Sequence, residues 1–373
     1  MWRTKVFLCE GSPRTSGEKK QYERDRLDGL DVYMMAKADI NYVFDRYMDT
    51  KTELRSSTYT NYTYMYNKYV RKGFGKRRIA DVKYSDVLLF YQSLIEKGFK
   101  PNFVEGIHRV LHPTFQMAVR DDIIRNNPAA GVMAEIKRKN RKHSAMKHAL
   151  TLEQERAFLN FLDENSDFGR WRSLFTVMFG TGCRIGEVIG LRWDDVDMEK
   201  NLININHSVT YYPRSEKSYK CEFEVSLPKT EAGIRTIPML PRVKEAFELK
   251  RTLQDMTGIH NHVELDGMKN FIFANRFGNL FNPAFINRAI KRIVDDYNAK
   301  EIICAKREGR EPVILPRFSC HIARHTFCSR LYENETNVKV IQSVMGHKDI
   351  QTTLDIFAEV SEQKKIDVFC CIN

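Results

Sequence analysis

Asp39-Ile40-Asn41-Tyr42-Val43-Phe44-Asp45-Arg46-Tyr47-Met48 is the stretch on which the reading of the fold turns. Ile40, Val43, Phe44, Tyr47 and Met48 fall at i, i+3, i+4, i+7 and i+8, the spacing that lines one face of an α-helix. Asp39 stands where an N-cap side chain accepts a free backbone N–H. The pattern recurs outward. Tyr62, Met65, Tyr66, Tyr69 and Val70 repeat it after Ser57-Thr58, and Val87, Phe90, Tyr91, Leu94 and Ile95 repeat it after Ser85. A fourth segment runs from about Val104 to Val119, where Pro113 is expected to kink the helix or split it. Four such stripes bury one another, so residues 37–136 read as a small helical bundle. Residues 1–36 read as a separate N-terminal segment.

The composition agrees with a helix-rich chain. Gly and Pro make up about 8% of the 373 residues, below the ~12% of average usage, so regular elements outweigh turns. With 42% hydrophobic and 29% charged residues, the chain is neither a disordered tail nor a membrane protein, and at this length two domains are expected. The apolar stretch near Met1 is too short for a secretion signal. Eight cysteines without a C-x-x-C pair read as reduced thiols of a cytoplasmic protein. Lys and Arg exceed Asp and Glu by 12, which points to a polyanionic partner.

That charge is clustered. Residues 137–148 hold Lys137, Arg138, Lys139, Arg141, Lys142 and Lys147 without one acid, a basic linker between two halves. Lys68, Arg71, Lys72, Lys76, Arg77 and Arg78 surround Gly73 and Gly75 at a helix end. A solvated charge run is the plain reading of either cluster. At the join of two globular halves, cations that release phosphate counterions suit a clamp on a DNA duplex.

The second half, residues 149–373, mixes helices and strands. Thr151-Leu152-Glu153-Gln154 is a capping box opening a helix through Leu162, and Trp171, Leu174, Phe175 and Met178 form another stripe. Leu202-Ile203-Asn204-Ile205-Asn206 and Cys221 to Leu227 read as strands. Ile234-Arg235-Thr236-Ile237-Pro238 is expected as the return strand of a hairpin across Thr230-Glu231-Ala232-Gly233. Helical stripes resume from Phe285. The whole is mainly α with a small antiparallel β-sheet.

Four segments carry residue types that do chemistry. In Gly180-Thr181-Gly182-Cys183-Arg184-Ile185-Gly186-Glu187 a glycine turn places Arg184 at a helix start, suited to an anion, with Glu187 three residues on to orient the guanidinium. A buried structural Arg–Glu pair is the alternative. Lys229 sits at the mouth of the expected hairpin, where most lysines are merely solvated. In His321-Ile322-Ala323-Arg324-His325, His321 and Arg324 share a helical face; zinc is discounted because His-Glu-x-x-His lacks its Glu here. Gly346-His347 is a glycine turn bearing a histidine, ten residues before Phe357.

Together these segments resemble the active site of the tyrosine recombinases, the phage-integrase family, and among them most resemble the integrases of conjugative transposons. The resemblance runs from about residue 37 to the end. Arg184 matches the family's first arginine, Lys229 its hairpin lysine, His321 and Arg324 its His-x-x-Arg pair, and His347 its second histidine. It implies a helical core-binding domain and an α+β catalytic domain closing as a clamp on DNA, with no cofactor. It further implies cleavage and rejoining through a 3′-phosphotyrosyl link, and integration or excision of a mobile element in the bacterial cytoplasm. Two arginines would hold the non-bridging oxygens, Lys229 would protonate the leaving 5′-oxygen, His321 would accept a proton or bond the phosphate, and His347 would buttress the oxygens. The implied partners are double-stranded attachment sites, further copies of the chain as a dimer on one site and a tetramer in the synapse, and an accessory excision factor. Residues from Val360 onward resemble the tail that docks on a neighbouring subunit. Residues 1–36 are either the remnant of an arm-type DNA-binding domain or a leader.

One departure matters. Where the family carries its nucleophilic tyrosine stands Phe357, and no tyrosine follows Tyr332. As written, the chain is expected to bind DNA and not cut it. Two accounts stay open: a working recombinase altered by deletion of one oxygen, favoured because the other five polar groups are kept, or a naturally inactive DNA-binding regulator of recombination sites. A type IB topoisomerase shares the chemistry and ranks last. Ala323, where relatives carry leucine, touches only packing.

Overall fold

A computed structural model describes residues 23–24, 26–27, 29–140, 149–213, 220–228, 231–334, 337–351 and 354. The chain divides into two compact units, one of residues 1–144 and 213–220, the other of residues 145–212 and 221–373.

The first unit is helical: α1 (Val32–Lys37), α2 (Ile40–Asp49), α3 (Ser56–Tyr69), α4 (Tyr84–Glu96), α5 (Pro101–Arg120) and α6 (Val132–Lys139). Asp39 caps α2, accepting from Tyr42 N at 2.7 Å, and the whole stripe Ile40, Val43, Phe44, Tyr47, Met48 is buried as its spacing predicts. The next two helices start earlier than their serines suggest. The N-caps are Arg55 and Lys83, and Ser57, Thr58 and Ser85 lie inside the first turn. Helix α3 buries Thr60, Thr63 and Tyr66 and leaves Tyr62, Met65 and Tyr69 half-covered. The Tyr66 ring stacks on Phe44 at 3.6 Å and its hydroxyl donates to Asn41 Oδ1, so a polar tip is satisfied inside the core.

Pro113 does not split α5, which runs unbroken through twenty residues. Its missing N–H costs one bond to the carbonyl four residues back. The helix instead buries Val104, Ile107, Val110, Leu111, Thr114, Phe115 and Ala118 against its neighbours, and that tertiary packing holds it. Lys137, Arg138 and Lys139 are also helical, forming the last turn of α6, a place where cations meet the negative helix end. Residues 141–148 lie outside the described residues.

The second unit contains α7 (Leu152–Glu164), α8 (Arg172–Thr181), α9 (Ile185–Gly190), α10 (Pro241–Thr257), α11 (Pro283–Glu308), α12 (Cys320–Asn334) and α13 (Val338–Met345). Its strands are β1 (Val196–Asp197), β2 (Leu202–Ile205), β3 (Ser208–Pro213), β4 (Cys221–Ser226) and β5 (Arg235–Pro238). The capping box at Thr151 and Gln154 forms in both directions, each bond 3.1 Å. Helix α8 is buried all round from Ser173 to Thr181, which is why its sequence is apolar on every face, and it packs on α10 and α12.

The strand after Lys229 pairs otherwise than expected. β5 is not the return of β4. It runs antiparallel to β2, with Ile203 opposite Ile237 and Ile205 opposite Arg235, in a sheet ordered β1-β2-β5, whereas β4 pairs with β3. Residues Glu231–Gly233 form a 3₁₀ turn, and β5 then buries Arg235 and Ile237 on one face against the β2 isoleucines. Cys183, Cys221, Cys304, Cys320 and Cys328 are free thiols. Among the described residues no helix is long and apolar enough to cross a membrane.

Candidate active site

Arg184 is placed by a turn that only glycine allows. Helix α8 ends at Gly182, at φ +61°, and a Cβ there would stand 2.3 Å from the Phe327 ring of α12. The chain therefore passes close over α12 and delivers Arg184 as the N-cap of α9. Glu187 then fixes it: Oε2 accepts from the Arg184 backbone N–H and Oε1 from its Nη1, both at 2.8 Å. The Arg184 side chain still keeps 45% of its surface exposed.

Arg324 lies across from it on α12 and is buried. Its Nη1 donates to Gly182 O at 2.7 Å and its Nη2 to Met345 O at 2.6 Å. Burial and the charge of Arg184 together lower its pKa to about 10, so it remains a cation at neutral pH. His321 sits one turn earlier on the same helix, exposed, with its ring edge-on to His325 at 4.5 Å.

The third element is the C-terminus of α13. Gly346, at φ +63°, closes the helix, and His347 follows at once, buried, its backbone N–H bonded to Gln342 O at 3.2 Å. Burial first, then the positive charges of Arg324, Arg184 and Arg235, hold the His347 imidazole down at about 4. It is therefore neutral at physiological pH.

The residue that sequence reasoning missed is Arg235. It is 4% exposed by its side chain, and its Nη2 and Nη1 fork onto Glu187 Oε2 at 2.8 Å and Oε1 at 3.2 Å. A period-2 reading held the signal, because Arg235 shares strand parity with the buried Ile237 and so points inward. Burial raises the Glu187 carboxyl by itself, but the Arg235 bond and charge, with Arg184, outweigh it and hold the group at about 2. Three guanidiniums thus face one carboxylate and a neutral imidazole, which leaves the cluster with two uncompensated positive charges.

The structure brings Arg184, Arg324 and His347 to one cluster, with His321 on the helix that carries Arg324. Lys229 and Phe357 lie outside the described residues, as do Arg141 and Lys142. In the first unit much of the basic cluster is already paired: Arg71 with Asp45 at 2.5 Å, Arg77 with Asp86 and Arg78 with Asp81 at 2.7 Å, Lys137 with Glu105 at 2.9 Å and Lys139 with Glu135 at 2.7 Å. Lys68 donates to the Tyr64 hydroxyl.

The chain belongs to the phage integrase family, whose pattern matches residues 148–364, and residues 40–95 match the family's N-terminal SAM-like domain. Its similarity extends to the transposase from transposon Tn916 of Enterococcus faecalis, 28% identical over 341 residues that cover 91% of this chain and 78% of that protein. The ICEBs1 integrase of Bacillus subtilis is 25% identical, over 82% of this chain and 75% of its own length. Among solved structures, the Tn1549 transposon integrase carrying a tyrosine-to-phenylalanine substitution, in complex with transposon right end DNA, superposes with a TM-score of 0.75 at 25% identity. That match covers 88% of this chain and 98% of that one. The resemblance to conjugative-transposon integrases therefore holds beyond the motifs.

Proposed function

We propose that this chain is a site-specific DNA recombinase of a mobile element, of the tyrosine type, in a form that binds its DNA and does not cut it. The observation that carries the reading is the charge balance of the cluster. Two positive charges in excess, one of them on a half-exposed Arg184 whose direction is fixed by Glu187, suit the two non-bridging oxygens of a phosphodiester.

Arg184 meets the phosphate from the exposed side, and Arg324 meets it with the N–H groups not committed to Gly182 and Met345. Removing either would cost about 10²–10³ in rate, as for one oxyanion-hole donor. His347, kept neutral, donates or accepts a hydrogen bond without adding charge. His321 takes up a proton or bonds the phosphate, and Lys229 protonates the leaving 5′-oxygen. A tyrosine at position 357 would attack, conserve the bond energy as a 3′-phosphotyrosyl ester and let strands rejoin without nucleotide. Phe357 has the ring and lacks the hydroxyl.

In this reading residues 37–136 are the core-binding domain, 137–148 a basic connection and 149–373 the catalytic domain. The partners are double-stranded attachment sites, bound by a dimer that pairs into a tetramer, with an accessory excision factor, in the bacterial cytoplasm. That the Tn1549 integrase is seen with DNA in a phenylalanine-substituted form supports binding without cleavage. The second reading, a naturally inert regulator occupying recombination sites, is favoured by Phe357 itself.

A suicide substrate carrying the attachment site, compared on a denaturing gel for this chain and its Phe357→Tyr variant, tests the proposal. A covalent adduct only after the substitution establishes the chemistry. Tight binding without an adduct from either protein moves the assignment to the inert regulator.

A further inference from the structure

Three successive carbonyls at the end of α13 each accept from a different arginine. Val344 O takes Arg235 Nε at 2.7 Å, Met345 O takes Arg324 Nη2 at 2.6 Å, and Gly346 O takes Arg184 Nη2 at 3.0 Å. The last carbonyls of a helix have no partner within it and carry the negative end of its dipole, so they are natural guanidinium acceptors. Two of these arginines belong to the proposed phosphate site. The third, Arg235, is as buried as Arg324 but has every N–H taken by a protein acceptor, which leaves none for DNA.

We infer that Arg235 is a positioning residue, which sets the direction of Arg184 through Glu187 and the place of His347 through the α13 terminus. This rests on Arg184 being the phosphate-binding group of the proposed site. Each Glu187 oxygen is shared: Oε1 accepts from Arg184 Nη1 and Arg235 Nη1, and Oε2 from the Arg184 backbone and Arg235 Nη2. The remaining Arg235 N–H groups reach Gly233 O at 3.3 Å and the Cys183 sulfur at 3.9 Å, so the planar fork is committed on every side. One side chain thereby joins β5, the 3₁₀ turn after Lys229, the start of α9 and the turn before His347. The fit is close. A Cβ on Gly346 would lie 2.9 Å from Arg235 Nη1 and 3.0 Å from Ala232 O, so the turn rests directly on the guanidinium.

A lysine keeps the charge and loses the fork. In Arg235→Lys, Glu187 retains a cation but no longer two fixed bonds, and Arg184 gains freedom to swing. The direct measurement is NMR of the full chain with labelled arginine, which needs no cleavage activity. The Arg184 Nη protons are expected to be resolved in the parent and averaged by rotation in Arg235→Lys. Arg184 signals unchanged by the substitution overturn the inference. Should Arg235→Lys fail to fold, Glu187→Gln is expected to release the same protons, because a neutral amide cannot fork both arginines.

The second readout uses single-turnover cleavage in the Phe357→Tyr background, if that protein forms an adduct. A misplacement of the order of 1 Å can cost about 10² in rate, so Arg235→Lys is expected to slow cleavage about 10²-fold at unchanged half-saturating DNA. Because Arg235 acts through Arg184, adding Arg235→Lys to Arg184→Ala is expected to cost little more than Arg184→Ala alone. Independent, multiplying losses would show a merely structural role and overturn it. A Phe357→Tyr protein that binds without cleaving defeats the recombinase reading and leaves Arg235 decided by the Arg184 protons.

Discussion

His347 is neutral because two effects agree: it is buried, and the charges that act on it most are the positive ones of Arg324, Arg184 and Arg235. For a histidine whose folded pKa is depressed, the unfolded chain binds the proton first. Stability attached to it is present above about pH 6.5 and is lost as pH falls toward 4, on the order of 2–3 kcal/mol. His108, also held near 4 by burial against Tyr91, acts in the same direction. Unfolding free energies of the parent and His347→Asn are therefore expected to converge by that amount between pH 7 and 4; a constant difference would contradict a neutral His347. The two site glycines make a sharper test. Gly182→Ala and Gly346→Ala combine positive φ with clashes at 2.3 and 2.9 Å, whereas Gly258→Ala has positive φ and open space. Strain alone costs about 1 kcal/mol, so the first two variants are expected to lose roughly 2–4 kcal/mol in urea unfolding and Gly258→Ala about 1.

Between elements, the second unit is tied by Glu155 of α7. This carboxylate is 1% exposed and takes Arg242 of α10 at 2.9 Å and Arg330 of α12, while the same arginines reach Phe179 O and Thr151 O. Glu155→Gln is expected to cost about 2–3 kcal/mol, less than the 3–5 of a fully buried pair because Arg242 remains 41% exposed. Equal urea midpoints for variant and parent would show that the clasp contributes nothing. Elements with one wet face were legible in the sequence. The α2 stripe and the Thr151 capping box stand as their spacing predicts, because a local pattern fixed each of them. What was not legible depended on partners distant in sequence. Helix α3 turns its threonines inward because Phe44 stacks on Tyr66, and β5 leaves β4 for β2 because Ile203 and Ile205 offer the apolar face that its own buried face needs. The site divides in the same way. The resemblance to the tyrosine recombinases pointed to Arg184, His321, Arg324 and His347, of which the structure groups Arg184, Arg324 and His347, whereas Arg235, with no motif of its own, shows its role only through Glu187 and the carbonyl of Val344.

At the scale of the whole molecule the excess of 12 positive charges must be weighed by what is free to meet phosphate. In the first unit Arg71, Arg77, Arg78, Lys137 and Lys139 already face acids, so part of their charge is neutralised before any phosphate arrives. Lys72 and Lys76 are exposed and have no acidic partner among the described residues. A lysine that meets a phosphate without first leaving an acid releases its full share of counterion, which lowers the slope of log K against log salt by about 0.9 per contact. A paired arginine that keeps its aspartate releases less. Lys72→Gln and Lys76→Gln are therefore each expected to flatten the salt dependence of duplex binding by about 0.9. Arg77→Gln and Arg78→Gln are expected to flatten it by under half of that, across about 50–200 mM salt, by fluorescence anisotropy on one labelled duplex. Equal changes from all four variants would mean that the pairs with Asp86 and Asp81 open when DNA binds. No change from the two lysines would place the duplex away from the Gly73–Gly75 turn altogether.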